Sequence, residues 1–75
     1  MKEIIEIIAR SLVDHPEQIV VDEKQDGDTV TYELRVAADD MGKVIGKQGR
    51  IAKAIRTVVK AASVGEKAKV DVDII

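Results

Sequence analysis

An α+β fold with the element order α-β-β-α-α-β is predicted for this 75-residue chain, and three observations predict it. Residues 29–37 alternate apolar and polar side chains with the period of a strand, and residues 50–62 separate apolar from basic residues with the period of a helix. Pro16, Gly27, the pair Gly46 and Gly49, and Gly65 fall between such segments, where the chain must turn.

Each element follows in order. A first helix runs from about Lys2 to Val13, with Ile4, Ile5, Ile8 and Leu12 on one side; Pro16 disfavours helix at His15, so it stops near Asp14. His15 reads as a turn residue. Ile19 to Glu23 reads as a short strand, and Asp26-Gly27-Asp28 turns the chain into a second one, Thr29 to Ala37. On that strand Val30, Tyr32, Leu34 and Val36 take the buried face and Thr31, Glu33 and Arg35 the other. Asp39 or Asp40 caps a short helix from Met41 to Ile45. The glycine loop then reorients the chain into a longer helix, Arg50 to about Ala62, which Gly65 ends, and a last strand from Lys67 to Ile74 alternates through Ala68, Val70, Val72 and Ile74.

The long helix carries more apolar surface than one contact needs. Ile51, Ala52, Ala54, Ile55, Val58, Val59, Ala61 and Ala62 fill half of its circumference and Arg50, Lys53, Arg56, Thr57 and Lys60 the other half, whereas a surface helix usually buries a stripe of about 100°. The excess is covered partly by the short helix and partly by another chain. A chain this small also buries a limited fraction of its surface, so a dimer associating around Val58, Val59 and Ala62 is expected.

The chemistry sits in Gly46-Lys47-Gln48-Gly49 and its flanks. Two glycines let a backbone turn sharply and approach a ligand without a Cβ clash, and a helix that starts at Arg50 offers unpaired N–H groups and the positive end of its dipole. That is an arrangement for gripping phosphate. The net charge of −2 misleads about partners, because the charge is segregated. From residue 41 to 65 there are six basic residues, Lys43, Lys47, Arg50, Lys53, Arg56 and Lys60, and no acidic one; the remainder holds all fourteen acids and the other six bases.

Other functions are excluded by what the residues lack. With no Cys, a single His and Ser11 and Ser63 as its serines, the chain offers no catalytic constellation, and neither a cofactor nor a metal site is expected. Gly42-Lys43-Val44-Ile45-Gly46-Lys47 is not a nucleotide-binding P-loop: its glycines enclose three residues instead of four, and Gln48 stands where Ser or Thr should hold magnesium. With no Phe or Trp and only Tyr32, which faces inward, base stacking on aromatic platforms is unsupported. Glu3, Glu6 and Arg10 interrupt the apolar amino-terminal segment, so neither a signal peptide nor a membrane span is expected and an intracellular setting is permitted.

The stretch Val44-Ile45-Gly46-x-x-Gly49 followed by Ile55 resembles the signature of the KH (K-homology) domain. Leu12-Val13-Asp14-His15-Pro16, Ala38 to Arg50 and Ala52-Lys53-Ala54-Ile55-Arg56 resemble the small bacterial single-KH-domain RNA-binding proteins, so that residues 1–75 look like one KH domain of type II. The resemblance implies a three-stranded sheet with the helices packed on one face. It implies single-stranded RNA held by the glycine loop and its flanking helices against a strand, with Gly42, Lys43, Ile45, Gly46, Lys47, Gln48, Gly49, Arg50 and Lys53 as the binding residues. It further implies a cytoplasmic RNA chaperone that pairs with itself or with another KH-containing chain and influences cell shape and cell-wall organisation. The alternative is a protein-interaction module whose nucleic-acid site is vestigial. The family's bulky aliphatic residue three positions after the second glycine is Ala52 here, so base preference does not transfer.

Overall fold

A computed structural model describes residues 1–65 and 68–75. The chain runs through α1 (Lys2–Leu12), β1 (Val20–Asp26), β2 (Thr29–Arg35), α2 (Met41–Ile45), α3 (Arg50–Ala62) and β3 (Lys69–Ile74), the predicted order. Short 3-10 turns at Pro16–Gln18, Ala38–Asp40 and Lys47–Gly49 join them. Hairpin pairing makes β1 and β2 antiparallel, with Val21 opposite Leu34 and Asp26 opposite Thr29. β3 lies parallel to β2, with Val72 opposite Tyr32. A parallel neighbour needs a crossover, which α2 and α3 supply.

All the helical packing lies on one face of this sheet. Val21, Tyr32, Leu34 and Val72 form one core cluster with Ile5 and Ala9 of α1 and Ile55 and Val59 of α3. Strand alternation turns Asp22, Glu33 and Asp73 to the open face. Proline stops α1 as expected, and Val13 leaves the helix in an extended conformation.

Several boundaries and roles differ from those predicted. β1 extends to Asp26 rather than Glu23, because hairpin pairing with β2 carries its polar end, Lys24-Gln25-Asp26, where no apolar alternation announces a strand. β2 ends at Arg35, and Val30 and Val36 are only half-buried. α3 ends at Ala62 as expected, but its cap is Ser63, and Gly65, the expected terminator, lies two residues beyond that cap with a left-handed φ of 95°. The predicted start of the last strand at Lys67 lies outside the described residues.

The largest correction concerns Val59. It is 0% exposed and belongs to the core, so it cannot lie at a dimer surface; Val58, beside it, is 48% exposed. Of the predicted apolar half of α3, Ala52, Ile55 and Val59 are buried and Ile51 half-buried, while Ala54, Val58, Ala61 and Ala62 face outward. The excess apolar arc therefore exists, but it is narrower and lies to one side of the core contact.

Candidate nucleic-acid interface

The glycine loop is a succession of left-handed backbone conformations. α2 ends where the Gly46 N–H donates to the Gly42 carbonyl at 2.8 Å, and a tight turn follows in which the Gly49 N–H donates to the Gly46 carbonyl at 3.2 Å. Gly46 has φ 75° and ψ 175°, a region open essentially to glycine alone. Its space is closed as well: a Cβ there would stand 2.6 Å from Cγ1 of Ile51. Gly49 takes the ordinary left-handed helical conformation, φ 73° and ψ 15°, and a Cβ would meet nothing within 4 Å. The two glycines therefore do different work. Gly46 lets the loop pack against the first turn of α3, while Gly49 supplies only a turn.

Gln48, at φ 58° and ψ 26°, is the one non-glycine residue with positive φ among the described residues. Together these conformations hold Lys47 and Gln48 out in solvent, and Arg50 opens α3 immediately behind them. No side chain caps that helix start, and an uncapped helix N-terminus attracts anions.

The basic run wraps onto α3 as predicted, but its members are not equivalent. Lys47, Arg50, Lys53 and Lys60 are exposed and make no ion pair or hydrogen bond through their side chains among the described residues. Arg56 is half-buried and donates its Nε–H to the Val72 carbonyl of β3 at 3.0 Å. Lys43 projects from α2 toward the connection after α1, where its ammonium pairs with the Asp14 carboxylate and lies 3.6 Å from Oδ1 of Asp40.

Asp40 is the residue that sequence reasoning misplaced. It stands at the start of α2, but its carboxylate makes no cap there. Fully buried, it accepts the Asp14 N–H on Oδ1 at 3.1 Å and the His15 N–H on Oδ2 at 3.0 Å. Burial works against its ionised form, but those two backbone donors and the nearby charges of His15 and Lys43 outweigh it and hold the carboxyl below its ordinary range. The Lys43 ammonium is pushed the other way, above its ordinary value, chiefly by its hydrogen bond to Asp14. His15 is thus more than a turn residue, since its N–H anchors Asp40. The signal that could have revealed this is an Asp-His-Pro step after one helix and an Asp-Asp step before another, each offering what the other needs.

The remaining predicted site residues fall around the same loop. Gly42 lies on the exposed side of α2 with open space where a Cβ would stand, and Ile45 is half-buried at its end. Ala52 is buried, and Ile51 beside it fills the space under Gly46. On the opposite flank of α3, Ile51, Ala54, Ile55 and Val58 form an apolar groove with Ile8 and Leu12 of α1, ending at Arg50. Among the described residues no helix is long and apolar enough to cross a membrane.

Known proteins resemble this chain along nearly its whole length. The model of the KhpA/KhpB KH domain matches residues 2–74. The protein named RNA-binding protein KhpA of Clostridium perfringens is 63% identical over 75 residues, the whole of both chains. That of Halalkalibacterium halodurans is 56% identical over 75 residues, all of this chain and 99% of the other. Among solved structures, Aquifex aeolicus Era bound to GDP and aluminium fluoride superposes with a TM-score of 0.67 at 19% identity. Era in complex with MgGDPNP and nucleotides 1506–1542 of 16S ribosomal RNA gives 0.63 at 22% identity. Those alignments cover 97% and 99% of this chain but only 28% and 30% of the Era chains, and they speak for the fold alone.

Proposed function

The chain belongs to the KhpA/KhpB family of KH domains, a non-enzymatic family, and from that premise we propose that residues 1–75 act as one KH unit that binds single-stranded RNA. The observation that carries this reading is the loop itself, in which Gly46, Gln48 and Gly49 hold positive φ so that Lys47 and Gln48 stand free at the uncapped, basic start of α3. A non-glycine residue held at positive φ at a loop tip is the kind of outlier that clusters at ligand-binding sites. Relatives matched over 99% or more of their length carry the name RNA-binding protein.

In this reading Gly42, Ile45, Gly46, Gln48 and Gly49 form a close-approach surface for the sugar-phosphate backbone. About four nucleotides are clamped there, as KH loops do. Lys47, Arg50 and Lys53 supply charge. The absence of an aromatic platform makes recognition weakly sequence-selective, as suits an RNA chaperone acting in post-transcriptional regulation. A cytoplasmic setting and an influence on cell shape and cell-wall organisation belong to the same proposal and rest on the family resemblance.

The chaperone works as a dimer, with itself or with another KH-containing chain. The groove of Ile8, Leu12, Ile51, Ala54 and Val58 supports this, because it leaves an apolar strip on one flank of α3 while Lys53 and Lys60 point from the other. Pairing through the strip leaves the RNA side open.

Filter binding of a mixed single-stranded RNA pool tests the reading against a vestigial site. Retention that falls steeply as salt rises is expected; no retention at low salt by a folded chain refutes it.

A further inference from the structure

The basic run from Lys43 to Lys60 looks like one continuous track for phosphates, but the side-chain partners divide it. Lys43 is engaged by two carboxylates at once, Asp14 and the buried Asp40, and Asp40 in turn holds the backbone N–H groups of Asp14 and His15. These contacts join residues 25 to 29 positions apart in sequence, the end of α1 and the start of α2. Arg56 is engaged differently, its Nε–H closing on the Val72 carbonyl of β3, which lies at an edge of the sheet. Moving the Lys43 ammonium onto a phosphate would give up these contacts and leave Asp40 buried without its ammonium neighbour, and swinging the Arg56 guanidinium away from β3 would give up its Nε–H bond to Val72. Lys47, Arg50 and Lys53 give up nothing of the kind.

Building on the RNA-binding reading above, we propose that Lys43 and Arg56 are positioning residues and that the phosphates fall to Lys47, Arg50 and Lys53. Lys43 clasps α2 to the α1–β1 connection and so sets the direction in which the glycine loop leaves α2; Arg56 clasps α3 to β3 and so sets the distance between them.

The test uses the full chain and one unstructured single-stranded RNA of about ten nucleotides, with affinity followed over a salt series for the unsubstituted chain, Lys43→Gln, Arg56→Lys, Lys47→Gln and Lys53→Gln. Three phosphate contacts predict a slope of log K against log salt of about −2.1, at roughly −0.7 per contact on a single strand. Lys47→Gln and Lys53→Gln each flatten it to about −1.4 and leave the melting temperature unchanged. Lys43→Gln keeps the slope near −2.1, lowers affinity by the same factor at every salt concentration and lowers the melting temperature. Arg56→Lys, which keeps the charge, also keeps the slope and melts lower. A Lys43→Gln chain whose slope flattens like that of Lys47→Gln, with an unchanged melting temperature, overturns the proposal. The two readings fail separately: absence of RNA binding by the unsubstituted chain removes the proposed function, whereas the melting temperatures judge the clasps without any RNA.

Discussion

At Gly46 the backbone and its neighbour both demand glycine, whereas at Gly49 only the backbone does. Ala at Gly46 meets Ile51 at 2.6 Å in a conformation that side chains avoid, so Gly46→Ala is expected to cost more than the roughly 1–2 kcal/mol of a lone left-handed residue. Gly49→Ala should stay within that range, and Gly49→Asn below it. Urea denaturation of the three variants gives the ranking. Gly42 behaves in the opposite sense. It sits in a helix with open space at its Cβ, so Gly42→Ala should stabilise the chain by up to about 0.5–1 kcal/mol. If the open space is where an RNA backbone passes, the same variant binds RNA more weakly; gain of both stability and affinity would show that nothing approaches there.

At the scale of elements, the two neighbours Val58 and Val59 separate the core of α3 from its free flank. Val58→Asp should leave a folded chain that sediments as a monomer, because Val58 lies in the open groove with Ile8 and Leu12. Val59→Asp places a charge in the core and should unfold the chain, since burying an unpaired carboxylate costs several kcal/mol of the roughly 5–15 available. Val58→Asp that remains a dimer would remove the groove as the contact.

The Asp40 clasp between α1 and α2 adds a pH dependence. Its carboxyl lies below the ordinary value of 3.8 in the folded chain, so its contribution is fully present above that pH and is lost as pH falls through the lower folded value. Asp40→Asn should remove this acid-limb loss, measured by thermal melts carried from above pH 3.8 to well below it.

For the molecule as a whole, charge segregation is what makes a chain of net charge −2 a credible RNA binder. It was legible in the sequence, as were the six elements and the glycine loop, because strand alternation, helical periodicity and turn residues are all local signals. What escaped was set by distant contacts. The polar end of β1 is a strand only through β2, Asp40 faces Asp14 and His15 rather than its own helix, and Val59 is core while Val58 is not because the sheet, not the helix wheel, chooses the buried stripe. The same logic divides the six cations into free and engaged ones, which residue counting alone treats alike.

The central claim is that the exposed loop between Gly46 and Gly49 is where RNA is held, and the double variant Lys47→Asp with Gln48→Asp tests it most directly. Both side chains are exposed and neither packs in the core, so the fold should survive while two negative charges face the phosphates. Affinity for a single-stranded RNA, measured at one fixed salt concentration beside a melting curve of each protein, should fall below detection with the melting temperature nearly unchanged. A folded double variant that binds RNA as tightly as the unsubstituted chain would contradict the account.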